Sequence, residues 1–496
     1  VLQSLVSDTK IAARGLAKAR GFTAVVVLTL AVAVGANTAI FSIVDAVLLD
    51  PLPYPDPDEL VVIGIERPET GVGEMGFSDT SYPHYRDKNR AFESIAAYQT
   101  TQVSLTGSGE PDQITVGIVT NSVYPVLRVT PFLGRGPDEA EDVPGGPLVA
   151  VLSHGLWTER FASDPAVIGM TIHVDDVSRE VIGVMPPDYS FPSSDVDLWI
   201  PLQLDPSSQV VGLLRYRVIA RLRDGVTIRA ATEDAESLLR RLGEAGFGAE
   251  WFDGTFRGRA HVQTFKELVV GDARATLLIV LGAVSFVLLI ASANVANLVL
   301  VRAEDRVRHT AIRAALGATR GRIVQYVLTE SMLLALMGGI GGVLLADLGI
   351  QLLVTLGPSN IPRLDEVELS ATTFAYTFGI SALVGLMFGV LPALQAGSAV
   401  GGSKGKAIIN GVRGSTAGSE RLRLRGALVA TEVALASALL VASGLMVRTF
   451  GELRTIDPGF DAEGVITFTL TPPVTRYPDT ESTGQLFDQM LERIRE

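Results

Sequence analysis

Enzymatic chemistry needs ionisable or nucleophilic side chains that converge, and this sequence disperses them. Its five histidines are His84, His154, His173, His261 and His309. No two of them stand at the spacing that sets paired metal ligands on one helix face. Ser153 precedes His154, yet no nucleophile–base–acid pattern follows from the order of residues. Surface or structural histidines are therefore the expectation. Cysteine is absent, which excludes disulfides, thiol nucleophiles and Cys-based metal or redox sites. No G-x-x-x-x-G-K-[S/T] phosphate loop occurs in these 496 residues, so nucleotide held by that device is not expected. Trp157 and Trp199 lie in apolar contexts that predict core packing. No catalytic residue, metal site or cofactor is expected in this chain.

Two other groups of residues carry information. The first comprises Asn294, Asn297, Asp347 and Glu432, polar side chains inside long apolar runs. Amides there can hydrogen-bond between helices, and carboxylates are costly in lipid and default to functional candidates. Glu432, near a span end, can also snorkel. The second is a basic segment containing Arg302, Arg306, Arg308, His309, Arg313 and Arg320. A basic amphipathic segment of this kind suits the membrane surface or docking to a partner.

The elements that hold these residues follow from composition. Hydrophobic residues make up 47% of the chain, charged ones 19%, and the mean hydropathy is +0.34. Five apolar stretches reach the ~20 residues needed to cross a bilayer: Gly21–Leu49, Ala275–Val301, Val324–Leu356, Thr372–Leu394 and Ala427–Val447. The first is too long for the roughly 7–15-residue apolar core of a cleavable signal, so it is expected to stay. Gly338-Gly339 and Gly341-Gly342 in the third suit close helix approach in lipid.

Charge gives an orientation. Residues 1–21 sum to +3, 302–322 to +4 and 397–426 to +5, whereas 357–371 sum to −2. The whole chain carries −13, which leaves −23 for the remainder, mostly in 50–274 and 448–496. Basic loops stay in the cytoplasm. This predicts an inner-membrane, multi-pass chain with its N-terminus inside and 50–274 outside, and alternation through five spans agrees. The acidic balance argues against nucleic acid as a partner.

Residues 50–274 predict an extracytoplasmic α+β domain. Pro51-Leu52-Pro53-Tyr54-Pro55 ends the first span. Strands are predicted at Leu60–Ile65, Ile114–Thr120, Leu148–Leu152, Thr171–Val174, Glu180–Val184, Arg217–Arg223 and His261–Phe265. A helix over Ile228–Leu242 places Ala231, Ala235, Leu238, Leu239 and Leu242 on one face. The predicted organisation is a cytoplasmic segment 1–20, spans at 21–49, 275–301, 323–356, 372–396 and 427–449, a basic loop 302–322, a short outer loop 357–371, a cytoplasmic linker 397–426, and the start of a second outer domain at 450–496.

The stretch from Ser292-Ala293-Asn294-Val295-Ala296-Asn297 through Arg306-Val307-Arg308-His309-Thr310-Ala311-Ile312-Arg313-Ala314-Ala315-Leu316-Gly317 resembles the signature of the FtsX-like permeases, and the likeness continues through Glu330-Ser331. In the outer domain, Leu152-Ser153-His154-Gly155-Leu156-Trp157, Asp164-Pro165, Gly183-Val184-Met185-Pro186-Pro187 and Phe191-Pro192 resemble the MacB-type periplasmic core domain. Relatives usually carry Glu where His309 stands, which puts the strength of ATPase coupling in doubt. Ala36-Asn37-Thr38-Ala39-Ile40-Phe41-Ser42, Asp457-Pro458-Gly459-Phe460-Asp461 and the parallel openings Arg20-Gly21-Phe22 and Arg425-Gly426-Ala427 resemble the duplicated permeases first described in acidobacteria. On that likeness the chain holds one copy and the opening of a second, and its end inside the helix-like run 485–496 suggests a fragment.

The resemblance implies an integral membrane α-helical protein with about five spans and a large domain of the MacB periplasmic core type. It implies a permease subunit of an ABC-type system, with ATP bound by a separate cytosolic ATPase that contacts 302–322 and moves the outer domain, for export or extraction of a hydrophobic or peptide substrate. The partners implied are the lipid bilayer, the ATPase, a periplasmic protein, and a second copy as dimer or intrachain pseudo-dimer. Two alternatives stay open: a signal-transmitting protein of the same fold that regulates a periplasmic partner without cargo, and a membrane-anchored hydrolase.

Overall fold

The computed structural model describes residues 2–67, 72–106, 111–205, 215–244, 258–271, 273–305, 319–356, 363, 367–399, 416–454, 465 and 480–495. The chain divides into two units, one of residues 1–50 and 272–463, the other of 51–271 and 464–496.

The first unit is helical. It contains α1 (Leu2–Lys18) and α2 (Arg20–Val44), and α2 runs on as one wide π turn, Asp45–Leu49. Asp50 N donates to Asp45 O across that turn at 2.8 Å, and Pro51 then removes the next donor. The outer domain separates α2 from α8 (Ala273–Asp305), after which come α9 (Arg320–Leu356), α10 (Ala371–Ala399) and α11 (Thr416–Arg454). Five of these helices are long and apolar enough to cross a membrane. Their outer faces carry Leu344, Phe378 and Leu440, exposed by 66%, 66% and 76%. Such a surface is tolerated when the surrounding solvent is lipid.

The paired glycines of α9 let backbones meet. A Cβ on Gly338 would lie 2.5 Å from Leu30 Cβ, and one on Gly342 3.1 Å from Gly35 N. In the opposite sense, a Cβ on Gly35 would come 2.9 Å from Gly342 O. Leu30, Val34, Leu288, Val295, Leu334, Val384 and Phe388 fill the centre of the bundle. In lipid there is no hydrophobic drive between helices, so this close packing supplies much of the association.

The N-terminal segment contains the helix α1, Leu2–Lys18. Asp8, Ala12 and Leu16 are buried at helical spacing, and Arg322 Nη2 donates to Asp8 Oδ1 at 3.0 Å. The fifth long helix runs Thr416–Arg454, and its candidate span begins at Gly426, where Arg425-Gly426 stands.

The second unit is built on one eleven-stranded sheet, ordered β11-β1-β10-β3-β4-β9-β6-β8-β5, with β2 on β1 and β7 on β3 and β8. The strands are β1 (Leu60–Arg67), β2 (Val72–Met75), β3 (Phe92–Thr106), β4 (Asp112–Val119), β5 (Leu133–Gly134), β6 (Val149–Leu152), β7 (Thr171–Val174), β8 (Val177–Val184), β9 (Leu198–Pro201), β10 (Arg217–Leu222) and β11 (Arg259–Thr264). Four short helices, α3 (Ser81–Lys88), α4 (Val123–Leu127), α5 (His154–Phe161) and α7 (Phe265–Val270), join the longer α6 (Ile228–Glu244), and α12 (Thr480–Arg495) closes the described chain. The predicted helical face is buried: Ala231, Ala235, Leu238, Leu239 and Leu242 pack inward from α6. β10, α6 and β11 form a strand–helix–strand unit whose two strands flank β1, each antiparallel to it. Both tryptophans expected in the core are buried, and Trp199 Nε1 donates to Phe191 O at 2.8 Å.

Strand β3 has no counterpart among the predicted strands, although it is the longest. Its middle, Gln99-Thr100-Thr101-Gln102, looks like a loop, and Ile95, Ala96 and Ala97 are buried in a row, which breaks the two-residue alternation. Only its stretch Ile95–Tyr98 is buried without a break, Thr100 and Gln102 are exposed, and its polar stretch pairs with β4 from Tyr98 to Leu105.

Arg221 on β10 is fully buried and holds the start of the domain. Its Nε donates to Val126 O at 2.8 Å, Nη1 to Asp56 O at 3.1 Å and to Glu59 Oε2 at 3.2 Å, and Nη2 to Pro55 O at 3.0 Å. Val61 pairs with Thr264, so the first strand of the domain begins beside the end of its last. A capping box at Thr264 and Glu267 then opens α7.

Candidate functional site

The residues nominated from sequence scatter. Arg306, Arg308, His309 and Arg313 lie outside the described residues, and Arg320 is described only as the first residue of α9. Arg302 turns toward its own chain: its guanidinium sits 4.2 Å over the Phe22 ring and Nη2 reaches Gly15 O at 3.5 Å. That geometry ties α8 to the junction of α1 and α2.

The intramembrane nominations differ in burial. Asn294 is exposed, and Asn297 and Glu432 are half-buried. Asp347 is also exposed, where it accepts from Gln351 Nε2 at 3.1 Å on its own helix. The helix faces bearing Asn294 and Asp347 point away from the bundle, because Val295, Ala296, Ala346 and Ile350 take the inward positions.

The buried polar seam lies on α2 instead. Asn37 Nδ2 donates to Val284 O of α8 at 2.8 Å, and Ser285 Oγ donates to Asn37 Oδ1 at 3.3 Å. One residue on, Thr38 Oγ1 meets Thr377 Oγ1 of α10 at 2.9 Å. Ser42 Oγ donates to Thr373 Oγ1 at 3.4 Å, and Ser370 Oγ donates to Asp45 Oδ2 at 2.7 Å. Asn37, Thr38, Ser42 and Asp45 are all buried. Phe41 stacks on Tyr376 beside the seam, centroids 3.8 Å apart. The seam gives α2 a fixed register against two other helices, while Asn37, Ser42 and Thr377 also bond carbonyls one turn back on their own helices. The four-residue spacing of Thr38 with Ser42, and of Thr373 with Thr377, was the available sequence signal.

The outer unit brings no catalytic constellation together among the described residues. Ser153 caps α5 by accepting from Leu156 N at 3.0 Å, while His154 faces the edges of Phe132 and Trp157. His261 Nδ1 lies 3.8 Å from Glu66. Burial, then nearby Lys88, pushes the His84 imidazole down, and burial pushes the Asp142 carboxyl up although backbone amides of Asn121 and Gln203 donate to it. No cluster of three or more His, Cys, Asp or Glu able to hold a metal occurs among the described residues.

Comparison with known families matches residues 23–238 to the MacB-like periplasmic core domain and 281–400 to the FtsX-like permease C-terminal region. The chain belongs to the FtsX-like, MacB-type ABC permeases. This permease is thus a multi-pass membrane protein with a large extracytoplasmic domain. It is 28% identical over 282 residues to the macrolide export ATP-binding/permease protein MacB 2 of Aeromonas hydrophila, covering 56% of this chain and 41% of that one. It is 27% identical over 279 residues to the pyoverdine export ATP-binding/permease protein PvdT of Pseudomonas savastanoi, covering 55% and 40%. The permease therefore spans about two fifths of the length of these curated relatives. Among solved structures, the periplasmic region of MacB from Actinobacillus actinomycetemcomitans matches with TM-score 0.33 and 15% identity, over 43% of this chain and 91% of that one.

Proposed function

We propose that this permease works with a separate cytosolic ATPase that docks on residues 302–322, and that motion of the spans is passed to the outer domain to export or extract a hydrophobic or peptide substrate. In this reading the N-terminus is cytoplasmic and ATP is bound only by the partner. The observation that carries it is the joining of α2 to α8 by Asn37. These two helices lead into and out of the outer domain. Within that domain the strands at the two ends, β1 and β11, are paired in register. A displacement of the α2–α8 pair therefore reaches one end of the sheet through two neighbouring strands.

The docking part is tested by reversing charge at Arg306, Arg308 and Arg313 together and measuring co-purification of the ATPase. Charge-assisted bonds contribute about 1.5–3 kcal/mol each, so loss of two or more should lower recovery at least tenfold. Unchanged recovery would remove the docking role.

A further inference from the structure

Ser381 of α10 is 4% exposed, and its hydroxyl has no hydrogen-bond partner among the described residues. It stands one turn along the helix from Thr377, on the line that carries the seam to α2. The rungs Thr38–Thr377, Ser42–Thr373 and Asp45–Ser370 run antiparallel, and the same register sets Ser381 opposite Val34. A hydroxyl thus lies in an apolar layer, beside Gly339, where a Cβ would come 2.5 Å from Ser381 Oγ.

The rungs repeat by about one helical turn on both helices. If α10 slid four residues toward its own N-terminal end, about 6 Å at ~1.5 Å per residue, Ser381 would meet Thr38. Thr377 would meet Ser42, and Thr373 would come opposite Ala46, next to Asp45 in the chain. Polar pairs would again form at Thr38 and Ser42, and Ser381 would gain the partner it lacks.

The face that α10 presents to α9 allows the same step. Ser381, Gly385, Gly389 and Ala393 recur at four-residue intervals. Ser381 faces Gly339, Gly385 faces Ala335 and Met332, and Gly389 faces Ser331. After the slide each place would again hold a small residue, with Gly385 over Gly339. What is given up is the stack of Phe41 on Tyr376 and the bond from Ser370 to Asp45, both of which favour the observed register.

We infer that α10 is a two-position ratchet against α2 and α9, one helical turn between positions, with Tyr376 holding the first and Ser381 the second. One-turn steps of one packed element past another are a known way for a helical interface to be bistable. This goes beyond the coupling reading, and it does not require that the ATPase dock where proposed.

The test uses disulfide cross-linking of the full chain in membrane vesicles, which have no background from a protein without cysteine. Ser42→Cys with Thr373→Cys reports the observed register, Ser42→Cys with Thr377→Cys the second, and Thr38→Cys with Thr373→Cys a slide in the opposite direction. Linked peptides are counted by mass spectrometry. The first two pairs should link and the third should not. Tyr376→Ala should raise the second pair relative to the first, and Ser381→Ala should lower that ratio about fivefold, the effect of one buried hydrogen bond. The ratchet is overturned if the second pair links no more than the third, or if neither substitution moves the ratio. Failure of the first pair would contradict the register itself, and the ratchet with it.

Discussion

Replacing Arg221 by alanine is expected to cost the outer domain about 3–5 kcal/mol, the range for breaking a buried, hydrogen-bonded ion pair. The side chain is fully buried and serves three carbonyls and one carboxylate. Its loss leaves Val126 O and Pro55 O without this donor, Asp56 O with only the Glu59 amide, and Glu59 without this partner. Arg221→Lys should recover only part, since one ammonium cannot reach acceptors spread around a planar fork. Arg221→Met restores stem volume but no donors, and should fall between lysine and alanine. Denaturant unfolding of the full chain in detergent, followed by tryptophan fluorescence, reads this directly, because Trp157 and Trp199 are both buried in this domain. A loss below about 1 kcal/mol for Arg221→Ala, the net worth of one ordinary hydrogen bond, would show that the clasp does not hold the domain together.

The second large effect is expected at Gly35. Its missing Cβ lets α2 approach Gly342 O and Leu345 Cβ, at 2.9 and 3.1 Å from where that Cβ would stand. The nearest atom is backbone, so it cannot rotate aside. Gly35→Leu should force α2 from α9 and destabilise the helical unit by about 3 kcal/mol, the upper end for overpacking. Gly21→Leu is the matched control, since among the described residues nothing lies within 4 Å of its Cβ position. The comparison is the thermal midpoint of each variant in the same detergent. Equal midpoints for the two leucines would mean that the close approach of α2 and α9 contributes little.

The fold was legible where one solvent imposes one pattern. Lipid demands about 20 apolar residues per span, and all five candidate spans are plain in the sequence. The helix α6 was legible for a similar reason, as its apolar face repeats at helical spacing. Strand β3 was hidden because its buried run Ile95–Tyr98 loses the alternation, and Gln and Thr in its middle imitate a loop. The site was less legible. Asp347 and Asp45 are both carboxylates within apolar runs, and composition cannot say which one faces the bundle. Asp45 does, because Ser370 is opposite it, 325 residues away in sequence. The same holds for Asn37, whose partner on α8 is 247 residues distant. Such pairings are set by packing between helices, which no local pattern reports.

The central claim is that the outer domain and the arginine-rich end of the spans face opposite aqueous compartments. A cysteine-free chain makes this directly measurable with single cysteines at two exposed positions, Val143→Cys in the outer domain and Thr319→Cys just before α9. With a membrane-impermeant maleimide on intact spheroplasts, the cysteine at 143 should label at once and the one at 319 only after the membrane is opened. Labelling of position 319 in intact spheroplasts, with position 143 protected, would contradict the account.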